Sequence, residues 1–251
     1  HALHKFQEAE AVARKLLILR QSELDYALLG DALMEQGRLD EAVEAYQKMI
    51  DIRPCLQTYT RVAYMRWLKG DLKGAREVMA DAVDAGSYRD TEPLSWSYSR
   101  LALYDLQSGS SELSLLEANT ALRLTPHYAL ALLVRGKILL SQGKNDEAVA
   151  SLSEAAKANP LPEYQWALAD ALRSDGKPQE AGVVEEKIVQ KGAVSDPRTF
   201  ALYLASRKEK SEVALHLAEA ELQNRHDVFT FDALAWTQYA SGQTAEAEAN
   251  I

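Results

Sequence analysis

The residues whose spacing could support metal chemistry are His216 and Glu219, which stand three positions apart. On a helix this spacing places an imidazole and a carboxylate one turn apart on the same face, where both could bind one divalent ion. A protein metal site needs more ligands and a second shell of hydrogen-bond partners, and the other four histidines have no nearby partner pattern. We therefore interpret the pair as ordinary surface residues and predict neither a metal site nor another cofactor.

Catalytic motifs with a fixed spacing are missing from the sequence. There is no GxGxxG or GxxxxGK[ST] for phosphates, no HExxH for zinc, no GxSxG nucleophile and no CxxC pair. The single cysteine, Cys55, excludes an internal disulfide and is interpreted as a small apolar residue. We predict that the chain is not an enzyme.

Composition narrows the class of partner. The chain has 251 residues, of which 47% are hydrophobic and 26% charged, with a net charge of −9. Proteins that bind nucleic acids present a basic face, so this acidic balance argues against a nucleic-acid partner. No apolar run approaches the roughly 18 residues of a membrane span, so membrane insertion is not predicted.

The chain starts at His1 without a recognisable signal peptide and ends within a predicted helix, which is typical of a piece of a longer protein. A cytoplasmic or an exported location remains open, and so does the oligomeric state.

The elements that would position any binding residues are pairs of helices. The clearest pair runs from Ala129 to Pro160 and reads as two amphipathic helices folded back on each other around Gly143. Glycine adopts the positive φ that ends a first helix, and Pro160 stops the second. Gly136 would let a neighbouring helix approach closely. Such a pair leaves apolar surface on both sides, so it must stack on copies of itself.

Two landmarks of this pair recur along the chain with a period of about 33 residues. The turn glycine recurs at Gly37, Gly70, Gly109, Gly143, Gly176 and Gly242. A small residue of the second helix recurs at Ala42, Ala75, Ser114, Ala148, Ala181, Ala214 and Ala247. One glycine is missing, and its position falls on Glu209. Two independent landmarks in one register indicate an internal repeat.

The repeat resembles the tetratricopeptide repeat, as found in bacterial-type multi-repeat scaffolds, whose signature is an aromatic residue, Leu-Gly, a large residue, Ala, an aromatic residue and Pro. The first full copy carries Tyr26, Leu29, Gly30, Leu33, Gly37, Ala42, Tyr46 and Pro54 at the signature spacing. A later copy carries Leu132, Gly136, Leu139, Ala148, Leu152, Ala155 and Pro160. Departures from the pattern are Arg135, Gln165, Glu185 and Arg198.

The resemblance covers essentially the whole chain and implies an all-α fold, a right-handed superhelical solenoid of antiparallel helix pairs in a single domain over residues 1–251. The expected units are a half repeat 1–22, repeats 23–55, 56–94, 95–128, 129–161, 162–194 and 195–227, and a partial repeat 228–251. The interval between Gly70 and Gly109 is longer than one period of about 33 residues, so we predict an inserted loop over residues 86–93. In the repeat without a turn glycine we predict that Ser211 is an N-cap.

In this family, first helices line a concave groove. Positions 2, 5, 9 and 12 of each repeat form a stripe separate from the packing stripe at positions 4, 7, 8 and 11, and all four tryptophans fall on the groove stripe. Aromatic rings offer a large contact area for little rotamer entropy, as a peptide-binding groove requires. The alternative is that the rings pack between repeats as scaffold. The predicted groove residues are Arg61, Tyr64, Trp67, Trp96, Arg100, Lys137, Trp166, Arg173, Tyr203, Trp236 and Tyr239, with Phe229 beside them.

The charges on this face predict that the middle of the groove is cationic, because the central repeats place arginines and a lysine there. The two ends of the groove are predicted to be acidic, with Asp31, Glu35, Asp170 and Asp232. A partner with an acidic segment or a free C-terminal carboxylate would suit the middle. The family's carboxylate clamp, made of Lys and Asn on successive repeats, does not transfer, because Ala27 and Asp31 occupy its first positions. Solvated charges without a binding role are the alternative.

Two functions follow from these observations. The first is a non-catalytic scaffold that binds a peptide or protein segment in its groove. The second is a non-catalytic arm of a larger enzyme or regulator whose active domain lies outside this chain. A scaffold retains a partner by itself, whereas an arm that only spaces domains does not.

Overall fold

A computed structural model describes residues 5–250, and the described residues form helices joined by turns, with no β-strand among them. Fifteen helices lie in this part of the chain. They are α1 (Phe6–Leu19), α2 (Glu23–Met34), α3 (Leu39–Ile52), α4 (Leu56–Leu68), α5 (Leu72–Asp84), α6 (Thr91–Gln107), α7 (Ser111–Leu124), α8 (Ala129–Ser141), α9 (Asn145–Ala158), α10 (Pro162–Ser174), α11 (Pro178–Ser195), α12 (Pro197–Arg207), α13 (Ser211–Leu222), α14 (Val228–Ala240) and α15 (Thr244–Ala249). The predicted all-α fold class is confirmed.

Glycine turns separate the first helix of each pair from the second. The six glycines of the predicted period have φ between 72° and 84°, a conformation that side-chain-bearing residues rarely adopt. After α8, for example, Lys144 donates its backbone N–H to the carbonyl of Leu139, which returns the chain for α9. The sequence prediction of glycine-terminated first helices is confirmed.

The turn without glycine differs from the prediction. Helix α13 begins at Ser211, so Ser211 lies inside the helix and is not its N-cap. Lys208 and Lys210 take φ of 55° and 47° instead, and together they replace the missing glycine. A left-handed conformation costs a residue with a Cβ about 1–2 kcal/mol, so this turn carries strain that the glycine turns avoid.

The inserted loop is shorter than predicted. Helix α6 starts at Thr91, so Pro93 lies in its first turn and not in the loop. Proline is tolerated there because the first backbone N–H groups of a helix have no partner within the helix. The predicted loop over residues 86–93 is therefore wrong at its C-terminal end.

The recurring small residues of the second helices are core positions. All seven are buried, six of them completely. Ser114 replaces alanine in this series and donates its hydroxyl to the carbonyl of Ala102 at 2.5 Å, which satisfies the polar group inside the core. A Cβ on Gly136 would stand 2.4 Å from Cγ of Leu152, which confirms that this glycine allows α8 and α9 to approach closely.

The described residues divide into two compact units. Unit 1 comprises the described residues up to Gly86 together with Ala220–Asp232, and unit 2 comprises Ser87–Glu219 together with the described residues from Ala233 onward. In unit 1, α1 packs on α2 and α3 packs on α4. In unit 2, α7 packs on α8, α9 on α10 and α11 on α12. Consecutive pairs therefore stack within each unit as in a helical repeat solenoid.

Candidate functional site

Every predicted groove residue lies on the first helix of its pair. In unit 2, Trp236 and Tyr239 of α14 stack with ring centroids 5.8 Å apart, and 45% and 59% of their surfaces are exposed. The indole N–H of Trp236 donates to the hydroxyl of Ser206 at 3.1 Å, which fixes the ring orientation. Rings held in place yet open to solvent offer contact area that does not have to be ordered on binding.

The remaining predicted rings on α10 and α12 are more enclosed. Trp166 is half-buried and meets Tyr203 edge to face, with centroids 5.5 Å apart. Tyr203 is only 3% exposed and packs in the core with Ile188, Phe200 and Leu204. Burial raises the pKa of the Tyr203 phenol. Position 9 of this repeat therefore lies in the core, and the groove role of Tyr203 stays a prediction that its burial does not favour.

The cations of this unit are matched by carboxylates. Arg173 is exposed and pairs with Glu185, and Arg207 bridges Glu185 and Asp170 at 2.8 Å each. Lys137 pairs with Glu163 at 3.1 Å. The positive charge predicted here is therefore largely neutralised within the chain.

Arg100 in α6 interacts with aromatic rings. Its guanidinium lies 5.8 Å from the centroid of Trp96 and 5.2 Å from that of Tyr104, within the range of cation–π attraction. Nη2 of Arg100 also lies 3.3 Å from the Tyr104 hydroxyl. Trp96 is half-buried, and Tyr104 is fully buried. Arg100 and Trp96 therefore form one half-exposed patch.

In unit 1, Arg61 of α4 forms a bidentate ion pair with Asp31 of α2. Nε and Nη2 each donate to one carboxylate oxygen at 2.8 Å. The buried hydroxyl of Tyr46 donates to the same carboxylate at 2.8 Å, and burial raises the pKa of this phenol. Asp31 and Arg61, predicted as separate charges of the groove, thus join neighbouring repeats.

Two predicted rings of unit 1 are already in contact with another part of the chain. Tyr64 and Trp67 of α4 stack with centroids 5.7 Å apart. Phe229, which belongs to unit 1 through the segment Ala220–Asp232, stacks on both, 6.5 Å from Tyr64 and 6.1 Å from Trp67. The three rings form one cluster on the face of α4, and a residue from the C-terminal part of the chain completes it.

The same segment carries charges that sequence reasoning missed. Arg225 donates to Glu35 at 2.8 Å and to Asp227 at 2.9 Å. Asp227 is buried and caps the start of α14, because its Oδ1 accepts from the backbone N–H groups of Phe229 and Thr230. A repeat period predicts contacts between neighbouring repeats only, so nothing in the sequence pattern pointed to the pairing of Arg225 with Glu35.

His216 and Glu219, the pair considered for metal binding, have no third metal ligand beside them among the described residues. His216 and Glu219 lie exposed on α13. Among residues 5–250 the structure holds no group of three or more His, Cys, Asp or Glu side chains arranged to bind a metal ion. Cys55 is half-buried beside Thr58, with Sγ and Oγ1 3.3 Å apart. No helix in the described part of the chain is long and apolar enough to cross a bilayer.

Comparison with known proteins agrees with this arrangement of stacked helix pairs. A sequence profile of the tetratricopeptide repeat matches residues 99–161 and 133–195, and a second profile of the same repeat matches residues 24–54. Together these matches cover half of the chain. The chain belongs to the tetratricopeptide repeat family. No curated protein sequence matches it.

Several solved structures share this fold at low sequence identity. A tetratricopeptide repeat protein from Parabacteroides merdae is 16% identical over 93% of this chain and 92% of that one, with a TM-score of 0.62. MamA protein is 21% identical over 67% of this chain and 91% of that one, with a TM-score of 0.52. YrrB, described as a tetratricopeptide repeat protein with an unusual peptide-binding site, is 16% identical over 82% of this chain and 97% of that one, with a TM-score of 0.50. These likenesses concern the fold.

Within this tetratricopeptide repeat chain the predicted groove residues fall into three groups. The open rings are Trp236 and Tyr239, the enclosed rings are Tyr64, Trp67, Trp96 and Trp166, all half-buried, with the buried Tyr203, and the cations with a described carboxylate or ring partner are Arg61, Arg100, Lys137 and Arg173.

Proposed function

We propose that this chain is a non-catalytic scaffold that binds a segment of another protein on the first helices of its repeats. The observation that supports it best is the stacked pair Trp236 and Tyr239, which stays largely exposed although tryptophan and tyrosine are usually buried or half-buried. Aromatic residues are enriched at the centres of protein interfaces, where they carry much of the binding energy. The family supports the same function, and the name of YrrB describes peptide binding in a protein of this fold.

The proposed partner binds mainly through apolar and aromatic side chains. Arg61, Lys137 and Arg173 already have carboxylate partners, so an acidic segment would have to displace Asp31, Glu163 or Glu185. Exchange of an exposed ion pair such as that of Lys137 with Glu163 contributes little, at most about 1 kcal/mol, and the half-buried pair of Arg61 with Asp31 would have to be broken first. An acidic segment is therefore the less favoured partner.

The test compares Tyr239→Ala with Tyr88→Ala. Tyr88 is also exposed, at 71%, but lies in the loop before α6, so its removal is a matched control. Partners are captured by crosslinking from cells that contain the natural protein, identified, purified and titrated against each variant by calorimetry. We expect Trp236→Ala and Tyr239→Ala to weaken the identified complex by about tenfold or more, as for interface hot spots, and Tyr88→Ala to leave it unchanged.

Two outcomes would contradict the proposal. Equal affinity of all variants would show that the rings are not part of the interface. Absence of any partner that survives purification would favour the alternative function, a spacing arm of a larger enzyme or regulator.

A further inference from the structure

The face of α2 and α4 in unit 1 is covered by residues 225–229 of the same chain. Three contacts define the fit: the guanidinium of Arg225 on Glu35, the ring of Phe229 on Tyr64 and Trp67, and the approach of the His226 carbonyl to Gly37. A Cβ on Gly37 would stand 2.4 Å from that carbonyl oxygen, so the backbone approaches as closely as a glycine permits. We call residues 225–229 the docked segment.

Packing between the docked segment and this face is close. The cavity left beside Val228 and Phe229 has a volume of about 20 Å³, which is near the space of one water molecule. Met34, Leu39, Tyr64 and Leu68 line it from the side of the repeats. Charge, ring stacking and shape therefore all match between the segment and the face, as they do in a peptide complex.

This contact is not one that the repeat architecture requires. In a solenoid each repeat buries its apolar surface against its neighbours, and residues 35 and 225 lie 190 positions apart. The docked segment contributes a turn and the first residues of α14, and it lies across the first-helix face, where this family would accept a ligand. In its chemistry it is equivalent to a bound peptide.

We propose that the face of α2 and α4 is a segment-binding site that the chain fills with its own residues 225–229. The partner that it accepts is a protein segment that presents an arginine, then an aspartate two residues later that caps a helix, then an aromatic ring two residues after that. This proposal rests on the proposed function, since it names the class of segment that such a scaffold binds. Glu35 receives the arginine, and Tyr64 and Trp67 receive the ring.

Self-occupancy sets how strongly an external segment binds. A tethered segment competes at an effective concentration of the order of millimolar, so the face is empty for only a fraction of the time. The apparent affinity for an external segment is then the intrinsic affinity multiplied by that fraction. Weakening the docked segment should therefore strengthen external binding. A purely structural role of the segment predicts no such gain, because its loss would only destabilise unit 1.

The test uses the full chain and a fluorescein-labelled peptide with the sequence of residues 220–232, measured by fluorescence anisotropy. We expect the peptide to bind Phe229→Ala and Arg225→Ala chains about tenfold or more tighter than the wild-type chain, as expected when a strong competitor is removed. Glu35→Arg introduced into the Phe229→Ala chain should abolish this binding, and a peptide carrying Arg225→Glu should restore it. Circular dichroism melts confirm that each variant is folded.

Three results would overturn the proposal. The peptide fails to bind both folded chains with a weakened segment, or it binds the wild-type chain equally well, or Glu35→Arg leaves its affinity unchanged. Light scattering adds a further arm: a wild-type dimer that Glu35→Arg abolishes would assign the face to a second copy of this chain and not to a partner. Failure of the proposed function is read separately, from the Tyr239→Ala and Tyr88→Ala titrations.

Discussion

Arg225 donates a hydrogen bond from Nη2 to Oε2 of Glu35 at 2.8 Å, although 190 positions separate the two residues in the chain. Only 16% of the arginine side chain and 25% of the glutamate side chain are exposed. Limited exposure reduces the screening by water, and the desolvated arginine also pairs with Asp227. This ion pair therefore differs from exposed pairs of unit 1 such as that of Lys5 with Glu8, and it anchors the docked segment.

The first prediction concerns the energy of this pair. A double-mutant cycle with Glu35→Ala and Arg225→Ala should give a coupling of about 1–2 kcal/mol in urea unfolding, because the two groups are partly desolvated and in direct contact. The matched control is the exposed pair Lys5 and Glu8, 58% and 71% exposed, whose coupling should be below about 0.5 kcal/mol. Equal couplings in the two cycles would contradict the assignment of an anchoring role to Arg225.

The second prediction compares two turn glycines of unit 1. Gly37 and Gly70 have φ of 73° and 81°, so alanine at either position pays the left-handed cost of about 1–2 kcal/mol. A Cβ at Gly37 also collides with the His226 carbonyl, whereas a Cβ at Gly70 meets nothing within 4 Å. Gly37→Ala should therefore destabilise the chain more than Gly70→Ala in urea unfolding. Because the same Cβ would meet the corresponding carbonyl of an external peptide, Gly37→Ala should not strengthen peptide binding to the face of α2 and α4.

Sequence periodicity predicted the parts of the fold that local chemistry determines. Turn glycines and the buried small residues of second helices recur because the two helices of each repeat pack together in the same way. The close contact of Gly136 with Leu152 is one example. Where a turn had lost its glycine the prediction was wrong, because Lys208 and Lys210 adopted the strained conformation themselves. Propensity does not reveal when a chain accepts such strain.

The candidate site was predicted less well, for two physical reasons. A position within the repeat fixes the side of the helix but not the depth of burial, so Tyr203 and Trp236 share position 9 and yet are 3% and 45% exposed. Charges were counted without their partners, and Arg61 and Arg173 have partners on other helices. The contact of Arg225 with Glu35 depends on tertiary structure alone, and a period of about 33 residues carries no signal for it.

The third prediction concerns two helical glycines of unit 2. In Gly136→Ala the added Cβ would lie 2.4 Å from Cγ of the buried Leu152, so overpacking should cost about 1–3 kcal/mol. Gly182 lies inside α11 with open space around its Cα, so Gly182→Ala should stabilise the chain by about 0.5–1 kcal/mol through helix propensity. Urea unfolding measures both. A stabilising Gly136→Ala would show that α8 and α9 are not in close contact.

The fourth prediction is a pH dependence at the start of α2. The Ser22 hydroxyl donates to Asp25 at 2.6 Å, and with Arg20 it holds the pKa of Asp25 below its usual value. Because the folded pKa lies below the unfolded value of about 3.9, the stabilisation is fully present above that pH and is lost as pH falls through the folded pKa. The stability difference between wild type and Asp25→Asn should therefore be largest near neutral pH and shrink in acid. A difference that does not vary with pH would contradict this account.

The fifth prediction separates core rings from binding rings on the same face of unit 2. Tyr203 fills the core between α11 and α12, so Tyr203→Ala should lower the free energy of unfolding by about 3–5 kcal/mol. Tyr239 is 59% exposed, and Tyr239→Ala should lower it by less than about 1 kcal/mol, since most of the ring already contacts water. Thermal and urea unfolding measure the two variants in parallel. A large loss of stability in Tyr239→Ala would make that ring part of the scaffold, and the loss of partner binding in the same variant would then no longer identify an interface.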